Sequence, residues 1–195
     1  GAGKTTTMRI ILGVLARDGG DVTLEGAPVT AADRRRFGYM PEERGLYPKQ
    51  KVAEQVAYLG QLSGMSSAAA KSAVAEHLEL FSLGDRAGER VEALSLGNQQ
   101  RVQIIAALMH GPTALILDEP FSGLDPAAVD AMADILRDRA ASGVPVLFSS
   151  HQLDLVERLC DSLIVLARGR VVAQGAVETL RAGGLHLPER HAEAQ

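Results

Sequence analysis

The chain has 195 residues, of which 46% are apolar and 23% charged, and its formal net charge at pH 7 is −4. This length predicts one domain with a substantial core, and the acidic balance argues against nucleic acid as its main partner. The single cysteine, Cys160, excludes an internal disulfide framework and is typical of a reducing compartment. No apolar run in the sequence approaches the ~18 residues of a membrane-spanning helix.

The first part of the chain combines a helical pattern with two short extended segments. Apolar residues recur at helical spacing from Met8 to Leu15, and this helix is expected to stop at Gly19-Gly20. The segment "DVTLEG" predicts a short strand that ends in a turn, and "RRFGYM" predicts another extended piece.

The middle of the chain has helical periodicity. The pattern runs from Val52 to about Phe81 and breaks at "LSGMSSA", where Ser66 or Ser67 is the expected cap of a new helix. A further helix is predicted from near Gly97 to His110. Residues from about 50 to 110 are therefore expected to form a helical lobe.

Strands and helices alternate in the second half of the chain. In order, the predicted elements are "TALILD" (strand), "AAVDAMADILRDRAASG" (helix), "VPVLFSS" (strand), "QLDLVERLC" (helix) and "SLIVLARGRVVAQG" (hairpin). The segments "ALIL" and "VPVLF" are almost wholly apolar, as expected for strands buried on both faces of a parallel sheet. This alternation predicts an α/β fold with a parallel sheet, beside which the helical lobe lies.

The chain begins with "GAGKTT", which matches the second half of a phosphate-binding loop, G-x-x-x-x-G-K-[ST]. In such a loop Lys4 would contact the β- and γ-phosphates, and the Thr5 hydroxyl would ligate Mg²⁺. Backbone N–H groups at a helix N-terminus would surround the β-phosphate; the candidates are Gly1, Ala2, Gly3, Lys4, Thr5 and Thr6. Alone, the segment is equally compatible with a surface helix whose first turn is closed by Thr5 or Thr6.

The stretch "TALILDEP" is more specific. A buried strand ends in two adjacent carboxylates, Asp118 and Glu119, at the edge where α/β sheets bind ligands. Asp118 could hold Mg²⁺, and Glu119 could polarise a water for attack on the γ-phosphate. The next strand is followed by His151, which fits a γ-phosphate sensor at the same edge, although a lone histidine there is more often a capping or core residue.

Together these motifs resemble the nucleotide-binding subunit of an ABC transporter, from Gly1 to about Leu180. The segment Gly1 to Thr6 resembles the end of the Walker A loop, and "LILDE" resembles Walker B with its catalytic glutamate. "SGLD", which ends at Asp125, resembles the D-loop, and His151 matches the switch histidine. The resemblance implies an ABC ATPase fold, and we expect the front of the Walker A loop to lie upstream of Gly1.

The segment "LSLGNQQR" stands where the family has its LSGGQ signature. The resemblance implies that Ser95 and the backbone of Gly97, at a helix N-terminus, contact the γ-phosphate held by an opposite subunit. Leu96 replaces the first glycine of the family's pair and Asn98 replaces its glutamine, and we expect function to survive both changes.

A second departure occurs in "FGYMPEERGLYP", where Glu42 stands at the glutamine of the family's Q-loop. An ionised Glu42 can still ligate Mg²⁺ or orient water, but it adds a negative charge beside the phosphates. The following "EERGLYP" resembles forms found in exporter-like branches of the family.

The resemblance implies an ATPase that uses ATP and Mg²⁺ and drives a separate integral-membrane permease, in the direction of export. It also implies a homodimer or heterodimer of ATPase subunits, peripheral on the cytoplasmic face of the cell membrane. We expect the ATPase domain to span residues 1–182, with 183–195 as a C-terminal tail.

Three other classes of protein share some of these features. DNA-repair and chromosome-organising ATPases insert long coiled coils between Walker A and the signature, and the interval from Lys4 to Ser95 has no room or heptads for them. A binding module without catalysis is disfavoured by Lys4, Glu119 and His151. The translation-associated tandem type remains the alternative, because a second motif set could lie outside this sequence.

Overall fold

The computed structural model describes residues 2–43 and 45–182. Gly1 and the predicted tail at 183–195 lie outside the described residues. The described chain divides into two compact units: a larger unit, Thr5–Ser149, and a smaller unit made of residues 2–4 and 150–182. None of the described helices is long and apolar enough to cross a membrane.

Helix α1 (Lys4–Ile11) ends well before the predicted stop at Gly19-Gly20. Gly13 has a φ of +73°, and its N–H donates to the carbonyl of Ile10 while the N–H of Val14 donates to that of Arg9. This pair of hydrogen bonds around a left-handed glycine is a Schellman motif, which closes a helix. The apolar pattern beyond Gly13 therefore does not continue the helix.

The next segment contains a small hairpin and a one-turn helix. Strands β1 (Thr23–Leu24) and β2 (Ala27–Pro28) pair antiparallel, so the predicted strand "DVTLEG" is one arm of a hairpin. Helix α2 (Ala31–Arg34) is an element that the sequence pattern did not predict. A capping box closes it, because the Thr30 side chain accepts from the Asp33 N–H and the Asp33 carboxylate accepts from the Thr30 N–H.

The predicted parallel sheet is present as three strands in the order β3-β4-β5; they are β3 (Phe37–Met40), β4 (Ala114–Leu117) and β5 (Val146–Phe148). Every residue of β4 is buried, as predicted. The expectation of burial on both faces is wrong for β5, where Leu147 is 40% exposed. Among the described strands β5 pairs only with β4, so its other edge lacks a covering strand.

The three predicted helices of the middle segment are present; they are α3 (Val52–Leu62), α4 (Ser67–Leu80) and α5 (Leu96–Leu108). The hydroxyl of Ser66 caps α4 by accepting from the N–H of Ala69. Of the two predicted caps, Ser66 and Ser67, the first is therefore confirmed. Helix α5 also packs against β3, where a side chain at Gly38 would collide with the carbonyl of Ala107. This close approach joins the helices to the sheet, and all of them belong to the larger unit.

Helix α6 (Pro126–Ala141) follows β4 and leads back to β5, in agreement with the predicted strand-helix-strand order. Asp125 is its N-cap and accepts from the N–H of Ala128 at 2.9 Å, while Pro126 occupies the first helical position. The segment "SGLD", which resembles the D-loop, therefore ends at the N-cap of α6.

The smaller unit contains the other predicted helix and hairpin; its elements are α7 (Leu153–Leu159), β6 (Ser162–Ala167), β7 (Arg170–Ala176) and α8 (Val177–Ala182). Strands β6 and β7 form the predicted hairpin and turn through Arg168-Gly169, with φ of +50° and +73°. Cys160 is half-buried at the end of α7, and burial is the main reason that the pKa of its thiol rises to about 11.

Candidate functional site

The carboxyl ends of β3 and β4 lie side by side in the larger unit. Met40 and Leu117, the last residues of the two strands, are register partners. The ladder extends one step further, because the N–H of Asp118 donates to the carbonyl of Met40 at 2.9 Å. This continuation holds Asp118 at the strand end, with only 1% of its surface exposed.

The carboxylate of Asp118 has one partnered and one unpartnered oxygen. Oδ1 accepts from the hydroxyl of Ser149 at 2.5 Å. Oδ2 is buried and has no hydrogen-bond partner among the described residues. A buried carboxylate oxygen without a partner is costly unless a cation or donor compensates it. Asp118 therefore has the chemistry of a cation ligand.

Magnesium is the cation that the predicted donor set fits. Mg²⁺ in phosphate-transfer sites is held by one or two protein oxygens and completed by phosphates and water. The buried Oδ2 of Asp118 and the hydroxyl of Thr5 are oxygen donors of this kind. In the part of the chain that the structure describes, no cluster of three or more His, Cys, Asp or Glu side chains could hold a metal unaided. Asp118 and Thr5 therefore supply oxygen donors of the kind that Mg²⁺ prefers.

The backbone of Glu119 is in the left-handed region, with a φ of +52°. For a residue with a side chain, such a conformation costs about 1–3 kcal/mol and persists only where neighbours impose it. Its N–H donates to the hydroxyl of Ser149 at 2.9 Å, and its carbonyl accepts from the N–H of Ser122 at 3.1 Å. The carbonyl also accepts from the side-chain amide of Gln100 at 3.0 Å. Three hydrogen bonds therefore fix the residue from both sides.

Two residues of this arrangement, Ser149 and Gln100, are absent from the sequence prediction. The Ser149 hydroxyl donates to the carboxylate of Asp118 and accepts from the backbone N–H of Glu119, so one side chain contacts both residues. Gln100 is 3% exposed and lies on α5. The sequence signal for Ser149 was a serine directly after an apolar strand.

The N-terminus of α5 and the D-loop meet in the larger unit. Ser95 is the N-cap of α5 and accepts from the N–H of Asn98 at 3.3 Å. A Cβ on Gly97 would lie 3.2 Å from the carbonyl oxygen of Gly123, so a side chain there would press on the D-loop. Residues of both segments line a cavity of about 300 Å³, among them Ser95, Gly97, Asn98, Arg101, Gly123 and Asp125.

Leu96, the departure from the family signature, is 58% exposed and also lines this cavity. Arg101 lies five residues further along α5, and its guanidinium donates to the carbonyl of Phe81, the residue directly after α4. The signature segment is thus attached to the helical lobe on one side and to the D-loop on the other.

Glu42 lies two residues beyond β3 and is exposed to solvent. The chain after it returns to the helical lobe, where the carbonyl of Pro48 accepts from the N–H of Glu92 and that of Gln50 accepts from the N–H of Val91. Glu42 and Asp118 therefore follow neighbouring strands, one exposed and the other buried.

The smaller unit contains the rest of the predicted loop and the predicted histidine. Gly3 has a φ of +100°, which favours glycine, and the carbonyl of Ala2 accepts from the N–H of Gly169. The ammonium of Lys4, the first residue of α1, donates to the carbonyl of Ser150 at 3.3 Å. His151, the next residue in the chain, is exposed.

Thr5 and Thr6 lie in the first turn of α1, and their N–H groups belong to the end of the helix that attracts anions. Thr6 is exposed and Thr5 is partly buried. Gly1, the first residue of the predicted loop, lies outside the described residues. The phosphate-binding role of these residues stays a prediction.

Known proteins identify the family. The family model described as "ABC transporter" matches residues 1–122. The chain belongs to the ABC transporter family. This ABC transporter domain is 46% identical over 181 residues to the uncharacterized ABC transporter ATP-binding protein YhaQ of Bacillus subtilis, covering 93% of this chain and 61% of that protein. It is 39% identical over 183 residues to the Nod factor export ATP-binding protein I of Burkholderia orbicola, covering 92% of this chain and 60% of that protein.

A solved structure of the ATP-binding subunit of an ABC transporter has a TM-score of 0.81 with this ABC transporter domain at 34% identity, covering 94% of this chain and 78% of that one. The predicted fold class, an α/β P-loop ATPase of the ABC type, is confirmed. The chain spans about three fifths of the length of the two curated relatives named above.

Proposed function

We propose that the full-length protein containing this ABC transporter ATP-binding domain hydrolyses ATP with Mg²⁺ and so drives a separate membrane permease. The observation that carries the proposal is the end of β4. There Asp118 has a buried oxygen without a partner among the described residues, and Glu119 is fixed beside it by Ser149. A cation ligand next to a glutamate whose backbone is held in place suits hydrolysis of a metal-bound phosphate.

Each residue has a distinct role in this proposal. Asp118 and Thr5 hold Mg²⁺, with Glu42 as a further candidate ligand, and the bound ion supplies charge neutralisation at the phosphates. The N–H groups of the loop and of the first turn of α1, together with the ammonium of Lys4, bind the phosphates. Glu119 accepts a proton from the attacking water, and His151 contacts the γ-phosphate.

We further propose that the cavity at the start of α5 receives the nucleotide of a second ATPase subunit. Ser95 and Gly97 present a helix N-terminus to it, which attracts phosphate. Asp125 lies on its other wall as the cap of α6. ATP then acts between two subunits, in a homodimer or a heterodimer, because each subunit completes the site of the other.

Export is the proposed direction of transport, and the proposed location is the cytoplasmic face of the cell membrane. The support for export is the relative named for Nod factor export, together with "EERGLYP" after Met40-Pro41. The test compares small molecules in cells and medium by untargeted mass spectrometry for wild type and an inactive variant. A compound that is less abundant in the medium and more abundant in the cells of the variant than of wild type supports export. The reverse pattern contradicts it.

The decisive variant for catalysis is Glu119→Gln in the full-length protein with its permease. The amide cannot accept a proton, so turnover should fall by about 10²–10⁴-fold while ATP binding persists. ATP should then trap a stable dimer, which size-exclusion chromatography detects. Glu76→Gln, an exposed position on α4, is the matched control and should leave turnover unchanged. Turnover of Glu119→Gln within about tenfold of wild type would contradict the assigned role.

A further inference from the structure

The side chain of Gln100 connects α5 to the backbone of Glu119, the proposed catalytic base. Its amide nitrogen Nε2 donates to the carbonyl of Glu119 at 3.0 Å and to that of Pro120 at 3.1 Å. Gln100 is 3% exposed; its hydrogen bond to Pro120 is buried and its hydrogen bond to Glu119 is partly buried. A single amide thus holds two consecutive carbonyls after β4.

Gln103, one turn further along the same helix, shows that burial on α5 does not by itself create such contacts. Gln103 is 5% exposed, and neither atom of its amide has a hydrogen-bond partner among the described residues. Of these two glutamines of similar burial on one helix, Gln100 contacts the residues after β4, whereas the amide of Gln103 has no hydrogen-bond partner among the described residues.

The two carbonyls belong to a strained and closely held segment. Glu119 keeps its φ of +52° because Ser149 holds its N–H while Gln100 and Ser122 hold its carbonyl. Ser149 directly follows β5, and its N–H donates to the carbonyl of Leu117 in β4, whereas Gln100 lies on α5. The Gln100 contact therefore relates the conformation of Glu119 to the position of a helix.

Helix α5 starts at the cavity. Ser95 caps it there and Gln100 lies five residues further along, so both belong to the first two turns of one helix. Because a short helix moves as a rigid element, a shift at its N-terminus displaces the amide of Gln100 with it. A change in the cavity therefore reaches the carbonyls of Glu119 and Pro120 through one side chain.

We infer that Gln100 is a positioning residue that couples occupancy of the cavity at the start of α5 to the alignment of Glu119 in the same subunit. This inference rests on the proposed function, in which the cavity binds the partner's nucleotide and Glu119 acts on the subunit's own ATP. A nucleotide against Ser95 fixes α5, and Gln100 then fixes the peptide that aims the Glu119 carboxylate. Hydrolysis at the two sites of the dimer becomes cooperative for this reason.

The test uses the full-length protein with its permease and the variant Gln100→Met, which keeps the length of the side chain and removes the amide. We expect kcat to fall by about 10- to 100-fold, because a misplaced catalytic group loses rate more than binding. The Kd for a fluorescent ATP analogue should stay within about twofold, and the Hill coefficient for ATP should fall toward one. Gln103→Met is the matched control and should change none of these quantities.

A second background separates positioning from structural damage. In Glu119→Gln, adding Gln100→Met should leave the residual turnover unchanged, because the positioned carboxylate is already absent. A kcat of Gln100→Met within about threefold of wild type, or ATP binding lost in parallel with kcat, would overturn the inference. If Gln100→Met does not fold, Gln100→Glu takes its place, and failure of both to fold would also overturn it. High turnover in Glu119→Gln alone would instead reject the proposed function.

Discussion

The ends of β3 and β4 are neighbours in register, yet the acids that follow them differ in almost every physical respect. Asp118 follows β4 directly, is buried, and shares Ser149 with the backbone of Glu119. Glu42 follows β3 by two residues, is exposed, and belongs to a segment that returns to the helical lobe. One strand end is a rigid polar centre and the other is an exposed connection.

This difference indicates two kinds of contribution to the proposed reaction. Groups that are fixed before substrate arrives stabilise developing charge without paying for reorganisation, and their removal changes the rate strongly. A solvent-exposed carboxylate interacts through water, which screens its charge, so its removal changes binding or rate only modestly. Variants on the two strand ends should therefore differ by orders of magnitude.

The largest effect is expected for Asp118→Asn. Hydrolysis should fall by at least about 100-fold, because the amide replaces the buried oxygen that is proposed to ligate Mg²⁺. The same change should raise the midpoint of thermal unfolding without nucleotide. An uncompensated buried charge costs several kcal/mol, more than the ~1–3 kcal/mol of an unpaired amide.

Calorimetry and a phosphate-release assay on the full-length protein measure the two effects of Asp118→Asn. Glu76→Gln, which removes a carboxylate from the exposed face of α4, is again the control and should alter neither. A variant that hydrolyses ATP normally would show that the rigid centre is structural, and one that is less stable would show that the charge is compensated in the folded protein.

An intermediate effect is expected for Ser149→Ala. The change leaves Asp118 Oδ1 and the N–H of Glu119 without their shared partner, so unfolding free energy should fall by about 2–3 kcal/mol. Turnover should fall by about tenfold, because Glu119 loses one of its supports. Ser142→Ala removes an exposed hydroxyl from the end of α6 and should cost under about 0.5 kcal/mol.

Chemical denaturation and steady-state ATPase assays provide these two numbers for Ser149→Ala. Equal behaviour of Ser149→Ala and Ser142→Ala would mean that the hydroxyl of Ser149 does not order the acids. A loss of stability with unchanged turnover would show that Glu119 keeps its alignment through its carbonyl contacts alone.

The predictability of the fold follows from how local each signal is. The buried strand β4 and the capped helix α4 were predicted because apolar runs and a serine cap act within a few residues. The predicted end of α1 was wrong because the apolar spacing continues past Gly13, whose positive φ stops the helix. Helix α2 was missed although its capping box, Thr30 with Asp33, was readable from the sequence.

The candidate site divides in the same way. Asp118 and Glu119 were predicted from a strand that ends in acids, which is a local pattern. The contacts of Gln100 and Ser149 were not predicted, because their partners lie 19 to 31 residues away and the contacts depend on packing. The strain at Glu119 was also unpredictable, since nothing in "LDEP" requires a positive φ. The roles assigned to the site residues remain predictions, which the variants test.

The smallest effect is expected for Glu42→Gln, on the exposed strand end. Two unit charges about 4 Å apart interact by about 1 kcal/mol in water, so turnover should change by less than about fivefold. The direction should be unchanged or slightly raised hydrolysis, because one negative charge beside the phosphates is removed. A higher Mg²⁺ concentration should be needed for half-maximal rate, since an oxygen anion is lost from the candidate ligands. Magnesium titrations of the ATPase rate measure both quantities.

Glu43→Gln, the adjacent exposed acid, is the matched control and should leave the magnesium dependence unchanged. Abolished hydrolysis in Glu42→Gln with an intact fold would place this carboxylate in the rigid centre with Asp118, and the contrast between the two strand ends would then disappear.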